Sequence, residues 1–346
     1  MPLYVGIDLH SNNMFVAIMN TDEELLFQKR LSNDETLILQ ELSRYPTEEI
    51  SIVVESTFNW YWLVDSLMSH GYTVKLSNPA AMIQYSGLKH TDDRSDAIWL
   101  ARMLKMNLIK EGYIYPKENR PIRDLMRRRM MFIQQRTQMI LSLKSLVHRE
   151  LGQRVSTNMI LGERKPLPIK EMFHDDDLLF TAERMLSVIY ELKNNAKQIE
   201  RRVEKKLKLK NEFQNLTTIN GIGPILALTI MLEVGDISRF KTVGDFSSYC
   251  RCVSSQRTSN DKVKGKGNKK NGNKYLEWAF VEAANFIRRF NTNAQRFYQK
   301  KEAKTNAIVA TKALAHKIAR ASYYIIRDNV PFDDEKLFNY SPPVNS

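Results

Sequence analysis

The six residues Ile50–Glu55 (ISIVVE) constrain the fold of this 346-residue chain more than any other segment. The run is rich in β-branched residues and almost continuously apolar, which is typical of a strand that is buried on both faces. Such a strand is predicted to lie at the centre of a sheet. The run ends on Glu55, and a carboxylate at the end of a buried strand is costly unless it has a task.

The segments around this run predict the rest of an α/β domain. Residues 3–8 and 14–19 are short apolar runs separated by Asn12-Asn13, which predicts a hairpin. Further strands are predicted at 25–31 and 72–76, and helices from a cap at Asn33 or Asp34 through Leu42, at 58–70, and over 96–106. A hairpin followed by alternating strands and helices indicates a mixed sheet.

A helical middle follows the α/β segment. Residues 121–151 carry an apolar stripe of helical period. A second segment shows alternating four- and three-residue steps, which indicate a heptad seam: Leu178, Ala182, Met185, Ile189, Leu192, Ala196, Ile199 and Val203. Residues 152–177 lack periodicity and are predicted to connect a long antiparallel hairpin. The seam fits either packing within one chain or a dimerisation arm.

Two features near the C-terminus point to phosphate binding. Residues 217–224 (TTINGIGP) precede an apolar helix and resemble a helix-hairpin-helix, in which the amides of Gly221 and Gly223 approach a phosphate; a plain Gly-Pro turn is the alternative. Residues 254–274 lack an apolar pattern and predict a mobile loop that gains order on phosphate, although a solvated charge run fits as well. Its lysines are Lys262, Lys264, Lys266, Lys269, Lys270 and Lys274.

Composition agrees with a nucleic-acid partner. Lys and Arg exceed Asp and Glu by 13, so phosphate polyanions are the first partner to consider, with an ordinary basic enzyme as the alternative. Cys250 and Cys252 are too few for a disulfide framework, which favours a reducing cytoplasm. No apolar run reaches about 18 residues, so we expect no membrane segment.

Four carboxylates are candidates for a divalent-metal site. Asp8 and Glu55 close predicted strands, while Asp93 and Asp96 lie one helical turn apart at a predicted helix start. Asp92 fits that spacing nearly as well, and helix-start aspartates are also common caps. Two Mg²⁺ ions about 4 Å apart catalyse in-line attack on phosphodiesters, and they require hard oxygen ligands.

These residues resemble one known family. The segments VGID ending at Asp8, VVEST around Glu55 and TDDRSDA around Asp96 are similar to the D, E and D-x-x-D-A segments of the DEDD transposases. These are insertion-sequence recombinases related to the Piv-type DNA invertases, and their better-known members are guided by a bridge RNA. Later segments also match in order, namely INGIG (219–223), VKG (263–265) and NVPFD (329–333).

The resemblance implies a RuvC-like, RNase H-type α/β domain at 1–112, a coiled-coil hairpin at 113–210, a mainly helical transposase domain at 211–333 and a tail at 334–346. It selects Asp93 over Asp92. Counting back from VKG places the nucleophilic serine on Ser259. Asn260 stands where the family commonly has glycine, and residues 251–254 replace its Gly-Leu-x-Pro stretch, which leaves Ser254 and Ser255 as alternatives.

The activity implied is cleavage and rejoining of double-stranded DNA through a phosphoserine. Asp8, Glu55, Asp93 and Asp96 would hold Mg²⁺, as two ions for which Mn²⁺ could substitute. A guide RNA, a homodimer or homotetramer, and a nucleoid-associated place in a bacterial or archaeal cytoplasm are also implied. Two alternatives come from other classes: a RuvC-like junction resolvase in which water attacks, and a non-catalytic scaffold that binds nucleic acid.

Overall fold

The computed structural model describes residues 1–78, 93–162, 167–253, 256–259, 262–266 and 271–338, with the backbone alone at 256–259 and 262–266. The chain divides into two compact units. The first is Met1–Lys117 with Ser255–Asn271, and the second is Glu118–Ser254 with Gly272–Ser346. Within the described ranges, no helix combines the length and the apolar character needed to cross a membrane. The finer four-part division stays a prediction.

A mixed sheet of six strands forms the centre of the first unit. The strands lie in the order β3-β2-β1-β4-β5-β6. β1 runs parallel to β4 and β4 to β5, whereas β2, β3 and β6 run antiparallel to their neighbours. The predicted mixed sheet, with an N-terminal hairpin and Ile50–Glu55 at its centre, is confirmed. The bounds are β1 Leu3–Leu9, β2 Asn13–Met19, β3 Leu25–Ser32, β4 Ile50–Glu55, β5 Thr73–Ser77 and β6 Glu111–Gly112.

Helices cover both faces of this sheet. On one face, Ile52 and Val54 of β4 share a core with α1 (Glu35–Leu42) and α2 (Trp60–Ser69). On the other face, Val53 packs against Leu100 and Leu104 of α3 (Asp93–Lys105). Successive residues of a strand point to opposite faces, so β4 is buried on both, as its sequence predicts.

Helix α3 lies directly on β1 at Gly6. A Cβ atom at residue 6 would overlap the carbonyl oxygen of Ala97 and would lie 2.6 Å from the amide nitrogen of Ala101. Ala97 and Ala101 are themselves fully buried. Glycine is the residue that permits backbones to approach this closely. The contact therefore sets the distance between the helix and the strand.

Two helices of 32 residues each, α4 (Arg120–Leu151) and α7 (Asp176–Leu207), pack side by side in the second unit. They are antiparallel, because Arg129 near the start of α4 pairs with Glu200 near the end of α7 at 2.7 Å. The predicted hairpin is confirmed, and its seam is buried at seven-residue intervals. These positions are Ala182, Ile189, Ala196 and Val203. The connection holds two short helices, α5 (Thr157–Ile160) and α6 (Ile169–Met172).

The remaining helices enclose a separate core in the second unit. They are α8 Asn211–Thr217, α9 Pro224–Val234, α10 Val243–Tyr249, α11 Lys274–Phe290, α12 Thr292–Lys304, α13 Ala307–Asp328 and α14 Asp334–Phe338. The last helix lies at the start of the predicted tail, 334–346. Asn291 and Asn293 donate hydrogen bonds to the Asp334 carboxylate, both at 2.6 Å, and Phe338 is buried near Phe297.

The lysine-rich segment contains regular structure where a mobile loop was predicted. β7 (Gln256–Ser259) and β8 (Lys262–Lys266) form an antiparallel pair in which Ser259 lies opposite Lys262. The hydrogen bonds of a strand pair join backbone groups and need no apolar pattern, so the composition of this segment did not predict the two strands. Three of the predicted phosphate-binding lysines, Lys262, Lys264 and Lys266, lie in β8.

Replacing Gly6 by alanine tests the close contact of α3 with β1. The added methyl group must displace backbone atoms, so we expect the free energy of unfolding to fall by about 1–3 kcal/mol or more. Thermal or urea unfolding of the full chain measures this. Gly244→Ala in α10 is the matched control, because its Cβ would meet Thr242 Oγ1 at an ordinary 3.4 Å. An equal loss in both variants would contradict the proposed contact.

Candidate active site

The first two predicted acids lie side by side at one edge of the sheet. In the parallel pair β1 and β4, Ile7 is registered with Val54, so the next residues along the strands are Asp8 and Glu55. The Asp8 side chain is buried, and the Glu55 carboxyl group is hydrogen-bonded to that of Asp8. The structure thus brings together two residues that lie 47 positions apart.

The other two predicted acids reach the same edge from α3. Asp96 is half-buried, and its negative charge acts on Glu55. Asp93 is exposed at the first turn of the helix. Because the helix dipole is positive at this end, it favours both carboxylates. All four predicted acids therefore converge, while the alternative Asp92 falls outside the described residues.

His10 is a member of this site that the sequence reasoning missed. Its Nε2 atom lies 3.0 Å from Asp8 Oδ2 and 3.5 Å from Asp93 Oδ1. These three side chains can offer ligand atoms that all lie within 4.8 Å of one another. The signal was available, since His10 follows Asp8 by two residues and alternate residues of an extended chain share a face.

Two asparagine side chains fix the backbone at His10. Asn33 donates its amide to the His10 carbonyl oxygen at 3.0 Å, and Asn59 donates to the same oxygen at 2.8 Å. The sequence predicts either Asn33 or Asp34 as the cap of α1, and Asp34 is the cap, because its side chain accepts a hydrogen bond from Thr36 N at 2.8 Å. Asn33 is thereby free to tie the end of β1 to the start of α1.

The electrostatics of the cluster oppose full ionisation. Burial, followed by the hydrogen bond to Asp8 and the negative charges of Asp8 and Asp96, raises the pKa of Glu55 from 4.5 to about 8. A divalent cation would relieve this repulsion. The donor set of carboxylate oxygens fits Mg²⁺, and the added imidazole nitrogen of His10 also suits Mn²⁺. Asp8, His10 and Asp93 offer ligand atoms close enough to one another to hold it, and Glu55 and Asp96 are further candidates beside Asp8.

The predicted nucleophile lies on the β7–β8 hairpin. Ser259 is the last residue of β7. The segment Ser255–Asn271 groups with the sheet unit, which is the unit that holds the acids. Ser254 and Ser255, the alternative nucleophiles, lie outside the described residues, as do Lys269 and Lys270. Lys274 is the first residue of α11, where its Nζ lies 5.3 Å from the centre of the Tyr275 ring.

A polar network in the second unit joins Tyr249, which precedes this hairpin in the chain, to Asn273, which follows it. Glu233 accepts hydrogen bonds from Arg127 Nε and Nη2 at 2.6 and 2.7 Å, and from Asn273 Nδ2 at 2.7 Å. Asn273 also caps α11, and its backbone amide donates to the Tyr249 carbonyl at 2.6 Å. Residues on both sides of the hairpin are therefore fixed to each other. Such a bidentate pair is strong when its remaining hydrogen bonds are satisfied.

The two glycines of the predicted helix-hairpin-helix differ in their surroundings. Gly221 has a φ of +103°, and a Cβ there would lie 2.5 Å from Ile287 N and 2.9 Å from the Ala283 carbonyl oxygen. Its missing side chain is thus explained by close packing on α11 without any phosphate. Gly223 has no atom within 4 Å of its would-be Cβ and precedes α9. Phosphate binding at either amide stays a prediction.

Glu55→Gln should change the pH dependence of stability. An acid whose pKa rises on folding costs nothing below pH 4.5, where it is protonated in both states, and its cost grows as the pH rises towards about 8. In metal-free buffer we therefore expect the variant to unfold at a higher temperature than the wild type at pH 8.5 and at the same temperature near pH 4. Exposed Glu48→Gln is the control. A variant less stable at every pH would refute this assignment.

Comparison with known proteins identifies two matching segments. The sequence model of a DEDD-type transposase family matches residues 5–150, which contain all four acids. The model described as the Transposase IS116/IS110/IS902 family matches residues 213–299, which contain Ser259.

Similar proteins cover most of the chain. The pilin gene-inverting protein of Moraxella bovis is 23% identical over 345 residues, 95% of this chain and 97% of its own. A probable family 20 transposase of Pseudomonas aeruginosa is 24% identical over 285 residues, with 77% and 80% covered. The transposase for insertion sequence element IS1111A of Coxiella burnetii is 24% identical over 242 residues, with 68% and 64% covered. The chain belongs to the DEDD-type insertion-sequence transposase family and is a DNA transposase/recombinase.

Proposed function

We propose that this protein cleaves and rejoins double-stranded DNA through a phosphoserine intermediate, with divalent metal held at the acid cluster. The observation that carries the proposal is the convergence of Asp8, Glu55, Asp93 and Asp96 at one edge of the sheet. The chemistry that a metal would supply at these acids fits the reaction, because bound Mg²⁺ would polarise the scissile phosphate and stabilise the leaving oxygen. We propose an RNase H-type, RuvC-like fold for the sheet domain, in keeping with its mixed sheet.

In the proposed reaction, the Ser259 hydroxyl oxygen attacks phosphorus and the bond from phosphorus to the 3′-oxygen breaks. The serine proton passes to solvent, and the released 3′-oxygen takes up a proton. A second strand then attacks the same phosphorus through its own 3′-hydroxyl, and Ser259 leaves with its hydroxyl restored. The number of phosphodiester bonds is conserved, so rejoining needs no nucleotide cofactor.

Basic side chains and backbone amides of this chain are proposed to bind the DNA backbone. We propose that Lys262, Lys264 and Lys266 of β8 contact the phosphate backbone, together with Lys269, Lys270, Lys274 and the loop amides of Gly221 and Gly223. Such contacts position DNA without reading its sequence. A structured guide RNA is proposed as the source of sequence specificity. The helices α4 and α7 are proposed to join protomers into a dimer or tetramer in which the acids and the serine come from different chains.

A protein–DNA adduct tests this mechanism. The full-length protein is incubated with the ends of its own element, Mg²⁺ and RNA transcribed from the element's flank. We expect an adduct that survives denaturation, and we expect Ser259→Ala to abolish it because no other group would attack phosphorus. Gel migration of labelled DNA measures the adduct, and omitting the RNA tests the guide.

Ser254→Ala and Ser255→Ala are the matched controls, and both should retain the adduct. An adduct that survives Ser259→Ala would overturn the choice of serine. Metal-dependent cleavage that leaves free 5′-phosphates and no attached protein would favour the junction-resolvase mechanism. DNA binding with no product in Mg²⁺, unchanged in Asp8→Asn, would favour the scaffold.

A further inference from the structure

Phe58 is an exposed aromatic residue in the turn that links β4 to α2. Its relative exposure is 85%, the highest among the large apolar side chains that the structure describes. The neighbouring aromatic residues behave differently, because Trp60 is buried and Tyr61 and Trp62 pack against the sheet core. One ring of this aromatic run is therefore left in solvent.

The turn that presents Phe58 is held by hydrogen bonds on both sides. Before it, Ser56 N donates to the Ser77 carbonyl at 3.0 Å, and Thr57 N donates to the Glu55 carbonyl at 2.9 Å. After it, the Asn59 side chain accepts from Thr57 Oγ1 at 2.9 Å. The same Asn59 side chain donates to the His10 carbonyl, as described above. The backbone that carries the exposed ring is thus anchored to the strand ends that carry the acids.

The position of Phe58 places it beside the proposed reaction centre. It follows Glu55 by three residues, a chain distance of at most about 10 Å. That span corresponds to roughly three nucleotides of one DNA strand at about 3.4 Å each. A base next to a phosphate held at the acid cluster would lie within reach of the ring.

Single exposed apolar residues are common, so exposure alone does not indicate a function for Phe58. Here exposure coincides with an anchored turn and with a site for DNA chemistry in a chain of net charge +13. Proteins that hold separated strands use aromatic rings as platforms on which bases stack, whatever the base. We infer that Phe58 stacks on an unpaired DNA base next to the scissile phosphate. This inference rests on the proposed function.

Fluorescence of 2-aminopurine placed next to the cleavage position tests the inference. The full-length Asp8→Asn variant, with the transcribed RNA, should bind the labelled DNA end without cutting it. We expect Phe58→Leu to lose the stacking-dependent change in fluorescence and to bind about tenfold more weakly, equivalent to ~1.4 kcal/mol. Phe58→Trp should retain both, because it keeps an aromatic face.

Phe290→Leu in the same background is the matched control, since Phe290 is 72% exposed at the C-terminal end of α11 and should leave both readouts unchanged. Bound DNA whose fluorescence and affinity do not depend on Phe58 would overturn the inference while leaving the proposed function intact. A change of oligomeric state in Phe58→Leu, measured by light scattering, would overturn it in favour of a contact between protomers. Failure of Asp8→Asn to bind the DNA end at all would instead count against the proposed function.

Discussion

The close approach of α3 to β1 at Gly6 sets the position of the acids at this site. Asp8 lies two residues beyond Gly6 on the strand, and Asp96 lies one residue before Ala97 on the helix. Because backbone touches backbone at this point, the helix position does not depend on how longer side chains pack. The positions of Asp8 and Asp96 are therefore set by the same backbone contact. A larger residue at position 6 would move Asp93 and Asp96 away from the strand ends as one body.

Bringing the acids to one edge of the sheet lowers the stability of the folded state, because their negative charges repel one another. The raised pKa of Glu55 shows that the folded chain disfavours a fully ionised cluster. Part of this cost is offset by the positive end of the α3 dipole and by the imidazole of His10 near Asp8. The remainder represents binding energy available to a cation, since any ligand that neutralises the cluster stabilises the folded state. A cluster of like charges lowers the stability of the folded state, and a cost of this kind is typical of functional sites.

The sequence predicted those features that depend on short-range chemistry or on sheet geometry. The central strand was predicted from its β-branched run, and Asp8 and Glu55 were predicted as site residues because each closes a predicted strand. The buried seam of α7 was predicted from the alternating four- and three-residue spacing of its apolar residues. What escaped prediction depends on contacts between distant segments: the carbonyl of His10 is held by Asn33 and Asn59, and Gly221 is required by α11. The β7–β8 pair escaped because backbone pairing leaves little trace in a lysine-rich sequence.

The chain carries opposite charges for two parts of one task. Its net charge of +13 favours approach to a phosphate backbone from any direction, and this attraction weakens as salt is added. The acid cluster opposes the same phosphate at short range until its charge is neutralised. In the proposed mechanism, attraction therefore does not require the metal, whereas close approach of the phosphate to Asp8 and Glu55 does. Under the proposed mechanism, the chain would hold DNA through its lysines and would still limit bond breaking to a phosphate that shares a cation with the acids.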